Sequence, residues 1–280
     1  MQIRVSLAFA TLLLATMASA PLRAEDLIPG GEEKFKITAG GILAWINSGV
    51  GVNGTVNNGT IVDLDSPDGN KNANNFVLGA EWRIAPRHRI AGIYYTTSKD
   101  RQLSFNQSVT IGDETLVPPA TLESTSRNRF LFATYEYSFV KNKDVELSGL
   151  LGAYVNKFSA DLTGTATVVN SNGQTTINKS VAYRPSVTVP LPVIGASIDW
   201  FASPRITLGA SLSGLKAKIG DVNGSIYVAT ASAEYMFTRN LGAGLAFMHT
   251  DLDVDVTKST FNGAVNWTND NLLLYATLKF

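Results

Sequence analysis

The last nine residues of the 280-residue chain place an apolar side chain at every second position. Counting back from Phe280, these positions hold Leu278, Ala276, Leu274 and Leu272. Three of the four positions between them hold Lys279, Thr277 and Tyr275. Successive side chains of a β-strand point to opposite faces, so a period of two with one apolar face indicates a strand. The chain therefore ends on a predicted strand whose apolar face finishes with an aromatic ring.

Nine further segments alternate in the same way, which gives ten predicted strands. They lie near residues 35–45, 76–84, 89–97, 130–139, 145–154, 193–201, 205–215, 227–237, 241–249 and 271–280. Each is close to the ~9–11 residues that a tilted membrane strand needs. Short and long connections alternate, and the predicted long loops cover residues 47–75, 98–129, 156–192 and 250–270. A shorter connection, at residues 216–225, joins the seventh and eighth strands.

The alternating segments favour a membrane barrel over a helical membrane protein. After the first 24 residues, no apolar run reaches the ~20 residues of a membrane helix. A sheet can cross lipid only as a closed barrel, because every backbone group must find a partner. We therefore predict an all-β fold, a transmembrane antiparallel up-and-down barrel of about ten strands, with eight as the alternative.

The first 24 residues have the layout of a secretory signal peptide: a basic start, an apolar stretch and small residues. We expect cleavage after Ala24, because cleavage after Ala20 would put Pro21 first. Residues 25–280 then form one barrel domain.

The zero net charge argues against a nucleic-acid partner, and without cysteine there is neither a disulfide nor a thiol nucleophile. No residue pattern indicates a cofactor or a metal site.

The terminal strand resembles the C-terminal assembly signal of Gram-negative outer-membrane β-barrels, with Phe280 as its last residue. The stretch from Trp82 to Tyr137 is also similar to a group of uncharacterised surface barrels, through Pro86-Arg87-His88-Arg89, Gly112-Asp113 and Tyr135-Glu136-Tyr137-Ser138-Phe139. The resemblance implies an outer-membrane location, contact with lipopolysaccharide and assembly by the barrel-assembly machinery. It implies long loops outside the cell and short turns in the periplasm. It leaves the oligomeric state open.

Four strands end with the same pattern, an acidic residue followed by an aromatic one. The four acidic residues are Glu81, Glu136, Asp199 and Glu234. The aromatic residues share a face with apolar positions, so we expect them to form a girdle at the membrane boundary.

The acidic residues point the other way, into the lumen. We expect Arg83, Lys36 and Lys279 to point inward at the same level, with Glu146 and Arg89 nearby. Charges in a confined interior are costly unless they are paired, which favours an ion-paired plug. The alternative is a cation-selective constriction lined by carboxylates.

Four polar residues continue the outward stripe of the ninth predicted strand, namely His249, Asp251, Asp253 and Asp255. A solvated rim is the simplest interpretation, and contact with a divalent cation or with lipopolysaccharide is the functional alternative. Outer-leaflet catalysis is the third. The His-Ser-Asn pattern of lipid A deacylases is absent, since this chain has His249-Thr250-Asp251, and no second histidine is available for an omptin-like site.

The sequence thus leaves three classes of function. The first and preferred class is a non-enzymatic structural or surface-exposed barrel with a mostly plugged lumen. The second is a narrow solute channel. The third is an outer-leaflet lipid or peptide hydrolase.

Overall fold

A computed structural model describes residues 27–53, 60, 62–63, 75–111, 113–184, 186–258 and 261–280. The predicted signal peptide, residues 1–24, lies outside this part of the chain. No helix among the described residues is both long and apolar enough to cross a membrane.

The described chain contains thirteen β-strands. They are β1 (Phe35–Val52), β2 (Val62–Asp63), β3 (Phe76–Ala85), β4 (His88–Phe105), β5 (Val109–Ile111), β6 (Glu114–Lys141), β7 (Val145–Asn170), β8 (Thr175–Tyr183), β9 (Ser186–Ser203), β10 (Ile206–Ile219), β11 (Val222–Met236), β12 (Leu241–Lys258) and β13 (Phe261–Lys279). Ten of them pair in antiparallel order around a ring, and β2, β5 and β8 are short additions beside it.

The ring is closed by β1 and β13, which pair from Lys36↔Lys279 to Val52↔Gly263. Every strand of the ring therefore has a hydrogen-bonded neighbour on both sides, as a membrane-spanning sheet requires. The prediction of a ten-stranded antiparallel barrel is confirmed, and the alternative of eight strands is excluded.

Tight turns connect the strands at the end of the barrel that holds residues 35 and 280, here called the proximal end. The β6–β7 turn is fixed by the Asn142 Oδ1 atom, which accepts hydrogen bonds from the backbone N–H groups of Asp144 and Val145 at 2.9 and 2.8 Å. In the β11–β12 turn the Thr238 hydroxyl accepts from the Leu241 N–H group at 2.9 Å. Short polar side chains stabilise turns in this way, and the predicted short connections are confirmed.

Three of the predicted long loops, at residues 98–129, 156–192 and 250–270, were wrong over most of their length, and most of the fourth, at residues 47–75, lies outside the described residues. Strands β6 and β7 contain 28 and 26 residues and continue far beyond the ~9–11 residues that cross a membrane. Residues 250–270 form most of a β12–β13 hairpin, and β10 and β11 meet in a tight turn at Gly220, whose φ is 57°. The alternation simply continues in these segments, and only the polarity of the two faces changes. We call the far part of the barrel the distal extension.

An apolar belt surrounds the barrel near the proximal end. Leu43, Leu151 and Leu274 on its outer face are 61–64% exposed. The predicted aromatic girdle lies at its lower edge, with exposed rings at Trp82, Tyr137, Phe139, Trp200, Tyr235, Phe237 and Phe280. Apolar side chains that face outward on a closed sheet, bounded by aromatic rings, are the mark of a transmembrane barrel.

The distal extension has the opposite polarity. On β12 the outer face carries exposed Asp251, Asp253 and Asp255, while Leu252 and Val254 on the inner face are 1% and 0% exposed. The interior of the extension is built from many buried apolar residues, here called the distal core: Leu103, Leu116, Leu122, Phe158, Leu162, Val168, Val187, Val189, Val222, Leu252, Val254, Val256 and Val265. This part of the barrel is packed like a water-soluble β-barrel.

Candidate functional site in the barrel lumen

A tier of charged side chains crosses the lumen at the proximal end, with Arg89 at its centre. The Arg89 Nη2 atom lies 2.6 Å from Glu136 Oε2, and its Nη1 atom lies 3.1 Å from Asp199 Oδ2 and 3.4 Å from Glu81 Oε2. Arg89 is 9% exposed, so one buried guanidinium faces three carboxylates. The fixed fork of an arginine side chain suits such multiple contacts.

Arg83 makes a separate pair with Glu146. Its two terminal nitrogens donate to the two carboxylate oxygens at 2.8 and 2.9 Å, and the Ser138 hydroxyl also donates to this carboxylate. Glu146 is 1% exposed. A bidentate pair with a further donor satisfies the buried carboxylate, which would otherwise be costly.

Two lysines on the strands that close the ring complete the tier. Lys36 Nζ lies 2.6 Å from Glu81 Oε1, and Lys279 Nζ lies 2.5 Å from Glu234 Oε1. Because Lys36 and Lys279 are direct partners in the β1–β13 ladder, their two ion pairs lie side by side at the seam of the barrel.

The structure brings all seven sequence-predicted lumen residues together on the inner face. We expected Arg83, Lys36 and Lys279 to pair with the four carboxylates, but Arg83 binds Glu146, and Arg89 binds the carboxylates of Glu136 and Asp199. The sequence did not place Arg89 because the phase of the third predicted strand was open: either Ile90 and Tyr94 or Ala91 and Tyr95 could face lipid. The structure resolves it, with Ile90 43% exposed on the outside and Tyr95 fully buried inside.

The segment before β1 folds across the proximal opening. Leu27 and Glu33 are each 7% exposed, and Lys141 Nζ donates to the Gly31 carbonyl at 2.7 Å. Gly30 lies so close to the Phe201 ring that an added Cβ would come within 2.2 Å of it. Only glycine allows this approach. No sequence pattern indicated this contact, because the apolar residues of this segment are not periodic.

A cavity of about 140 Å³ lies directly against the tier, since Lys36, Glu81 and Glu136 line it together with Thr38 and Phe132. An aromatic cluster follows. The rings of Tyr95 and Trp267 stack on Phe130 with centroids 4.2 and 4.7 Å away. The Tyr95 and Tyr154 hydroxyls lie 3.2 Å apart.

Seven polar residues at the level of this cluster form what we call the polar layer: Thr97, Asn128, Asn156, Thr250, Trp267, Asn269 and Asn271. They are 0–3% exposed, and nine of their side-chain N and O atoms have no hydrogen-bond partner among the described residues. Each such atom costs ~1–3 kcal/mol if it stays dry. Nine dry atoms would together cost ~9–27 kcal/mol, which is comparable to or larger than the ~5–15 kcal/mol net stability of an ordinary domain.

The predicted rim residues lie on the outer face of β12. His249 Nδ1 is 2.7 Å from Asp270 Oδ1 on the neighbouring strand, and the edge of its ring faces Tyr227 at a centroid distance of 6.3 Å. Asp251, Asp253 and Asp255 are exposed above it. Among the described residues, no group of three or more acidic, histidine or cysteine side chains is arranged to hold a metal ion.

Phe280 lies at the seam, where its backbone N–H group donates to the Phe35 carbonyl at 2.8 Å and its own carbonyl accepts from Lys34 at 2.7 Å. Its ring is 55% exposed on the outer face. The last residue therefore takes part in closing the barrel.

No protein-family model matches the sequence, and no curated protein matches it either. Among solved structures, the chain is similar to the outer membrane protease OmpT from Escherichia coli, with a TM-score of 0.53 and 11% identity over 92% of this chain and 100% of that one. The translocator domain of the autotransporter NalP from Neisseria meningitidis aligns with a TM-score of 0.40 and 12% identity over 98% and 96% of the two chains. Ail of Yersinia pestis aligns with a TM-score of 0.36 and 15% identity over 89% and 99%.

At these identities the likeness concerns the fold. Together with the closed ring of ten strands and the apolar belt bounded by aromatic rings, it leads to one conclusion. The chain has the fold of a Gram-negative outer-membrane β-barrel.

Proposed function

We propose that the protein is a non-conducting, non-enzymatic barrel of the outer membrane that acts through its surface, with the distal extension outside the cell. The observation that carries this proposal is the filled lumen. Leu116, Leu122 and Val254 inside the extension are each 0% exposed. An eight-stranded barrel is just filled by side chains, and ten strands lie much closer to that size than the 16–18 of open porins.

The proximal end supports the same proposal. The charged tier neutralises its carboxylates with Arg83, Arg89, Lys36 and Lys279, and the segment from Leu27 packs across the opening. A permeating ion would have to break buried ion pairs and then pass an apolar core. Both barriers are high, since charges are costly in a dry interior.

Conductance of the purified barrel in planar lipid bilayers tests this proposal directly. We expect no steady conductance above that of the bare membrane, whereas a general porin in the same bilayer serves as the positive control. Steady single-channel steps from the wild-type chain would overturn the closed barrel in favour of the narrow solute channel.

A hydrolase is disfavoured by the surroundings of His249. Its ring pairs with Asp270, but within the described residues no serine or threonine hydroxyl is hydrogen-bonded to it. A histidine–carboxylate pair needs such a nucleophile or a positioned water for acyl transfer. We therefore expect His249→Asn to leave the lipid A of intact cells unchanged, which mass spectrometry of extracted lipid measures.

We also propose where outer-leaflet lipopolysaccharide binds. Arg129 and Lys157 are directly opposed on β6 and β7, exposed, and without an ion-pair partner in the described part of the chain. Leu131, the next outward residue of β6, belongs to the apolar belt. Like charges placed opposite each other repel, so an anionic phosphate between them would relieve the strain. The acidic rim at Asp251 repels the same group.

Binding of lipopolysaccharide to the refolded barrel tests this site. The variant Arg129→Gln with Lys157→Gln should bind more weakly and lose the salt dependence that phosphate contacts give. Asp253→Asn is the matched control on the opposite wall and should bind as the wild type does. Equal binding by all three proteins would refute the placement.

A further inference from the structure

The polar layer lies in a section of the lumen that is closed on both sides. Along β13 the inward residues pass from Lys279 in the charged tier, through Asn271 and Asn269, to Val265 in the distal core. Strand β4 follows the same order, from Arg89 to Thr97 and on to Leu103. The layer is therefore not confined to one strand, because both strands carry inward polar residues between the charged tier and the distal core.

Two opposite parts of the wall supply the layer. Thr97 faces Asn128 across the β4–β6 ladder, and Thr250 faces Asn269 across the β12–β13 ladder. The rings of Tyr95 on β4 and Trp267 on β13 both stack on Phe130, so the two parts of the wall meet at this level.

The chemistry of the layer is neutral and offers both donors and acceptors. Carboxamides present an N–H₂ donor and a carbonyl acceptor, hydroxyls present both, and the Trp267 indole presents a donor. Both carboxamide atoms of Asn269 and of Asn271 are without a partner in the described structure. The layer contains no charged side chain, so it suits a small neutral molecule that donates and accepts hydrogen bonds.

We propose that the polar layer binds a cluster of water molecules enclosed between the charged tier and the distal core. Leaving this many buried polar atoms dry would offset the net stability of the fold. Water is the smallest ligand that meets donors and acceptors alike, and a buried water usually makes about three hydrogen bonds. The stacked rings of Tyr95 and Phe130 leave no slot between them for a flat organic ligand. The proposal does not depend on what the surface of the barrel binds.

Magnetisation transfer from water to side-chain amides, measured by nuclear magnetic resonance on the barrel in detergent micelles, tests the proposal. We expect cross-peaks from water to the carboxamide groups of Asn269 and Asn271. Exposed Asn262 serves as the positive control, and the Val254 amide in the apolar core as the negative control. If the carboxamide groups, like the Val254 amide, show no cross-peak to water, the proposal is overturned.

A second measurement distinguishes a wet layer from a dry one and from an organic ligand. Asn271→Leu should lower the denaturant midpoint if Asn271 binds water, whereas removal of a dry, unpartnered amide should raise it. Native mass spectrometry should give the mass of the polypeptide alone after mild activation. A raised midpoint, or a bound organic mass that the Asn269→Leu variant loses, would contradict a water cluster.

Discussion

The membrane belt and the distal extension are formed by the same strands, but the polarity of their inner and outer faces is opposite. On β12 the outward stripe passes from Leu245, 51% exposed, to exposed Asp253, while the inward stripe passes from Gly244 to Val254, 0% exposed. In the belt, lipid covers the apolar face and the lumen is polar. In the extension, water covers the polar face and the lumen is apolar. The solvent outside thus decides which face of a strand is apolar.

The two interiors also differ in how they are held together. The belt depends on a few ion pairs whose partners are hard to replace, and the extension depends on many small apolar contacts. Loss of one partner from a buried ion pair leaves an uncompensated charge, whereas loss of one apolar side chain leaves a cavity that the surroundings partly fill.

The largest effect is expected from Arg89→Met in the charged tier. The variant leaves Glu81, Glu136 and Asp199 without their central partner, at a cost of ~3–5 kcal/mol in the free energy of unfolding. Denaturant unfolding of the barrel in lipid vesicles measures it. Arg127→Met is the control, because Arg127 pairs with Asp161 at 3.1 Å but is half exposed, and such pairs contribute ~0–1 kcal/mol. Equal effects would mean that water already solvates the tier.

Truncating one leucine in each region separates the two interiors. Leu252→Ala in the distal core should cost ~2–5 kcal/mol, since Leu252 is 1% exposed and its removal leaves a cavity. Leu274→Ala on the belt should cost roughly the ~0.5 kcal/mol that one leucine contributes to membrane insertion, because lipid fills the space. The same unfolding assay compares them. A small effect at Leu252 would show that the extension is loosely packed.

A charge placed at two heights of one outward stripe locates the edge of the membrane. Leu245→Arg should destabilise the barrel in vesicles by ~2–4 kcal/mol if residue 245 lies near the bilayer midplane. Asp253→Arg on the same face should have almost no effect, because that side chain is in water. Equal destabilisation by the two variants would show that the edge of the membrane does not lie between residues 245 and 253.

The smallest effect concerns pH and is confined to the extension. Hydrogen bonds from Lys179 and Tyr183 lower the pKa of Glu114. A carboxylate with a lowered pKa contributes stability above its ordinary pKa of ~4.3, and this stability is lost as the pH falls through the lowered value. Between pH 5 and pH 3 we expect a loss of under ~1 kcal/mol. Glu114→Gln should not show this part of the pH dependence, and an identical profile for both proteins would exclude Glu114 as the cause.

The sequence by itself determined the strand count, the proximal turns and the inward direction of the main lumen carboxylates. These features are local, because alternation along one strand fixes which face each residue occupies. It also indicated the aromatic girdle, whose residues follow the acidic ones in four strands.

Only the tertiary structure decided the rest. Strand stagger around the ring brings Arg89 to Glu136 and Asp199, and brings Arg83 to Glu146. The length of the distal extension could not be predicted from an apolar outer stripe, because its apolar stripe faces inward. The inward apolar side chains are buried only once all ten strands close around them, so their burial cannot be predicted from any one strand.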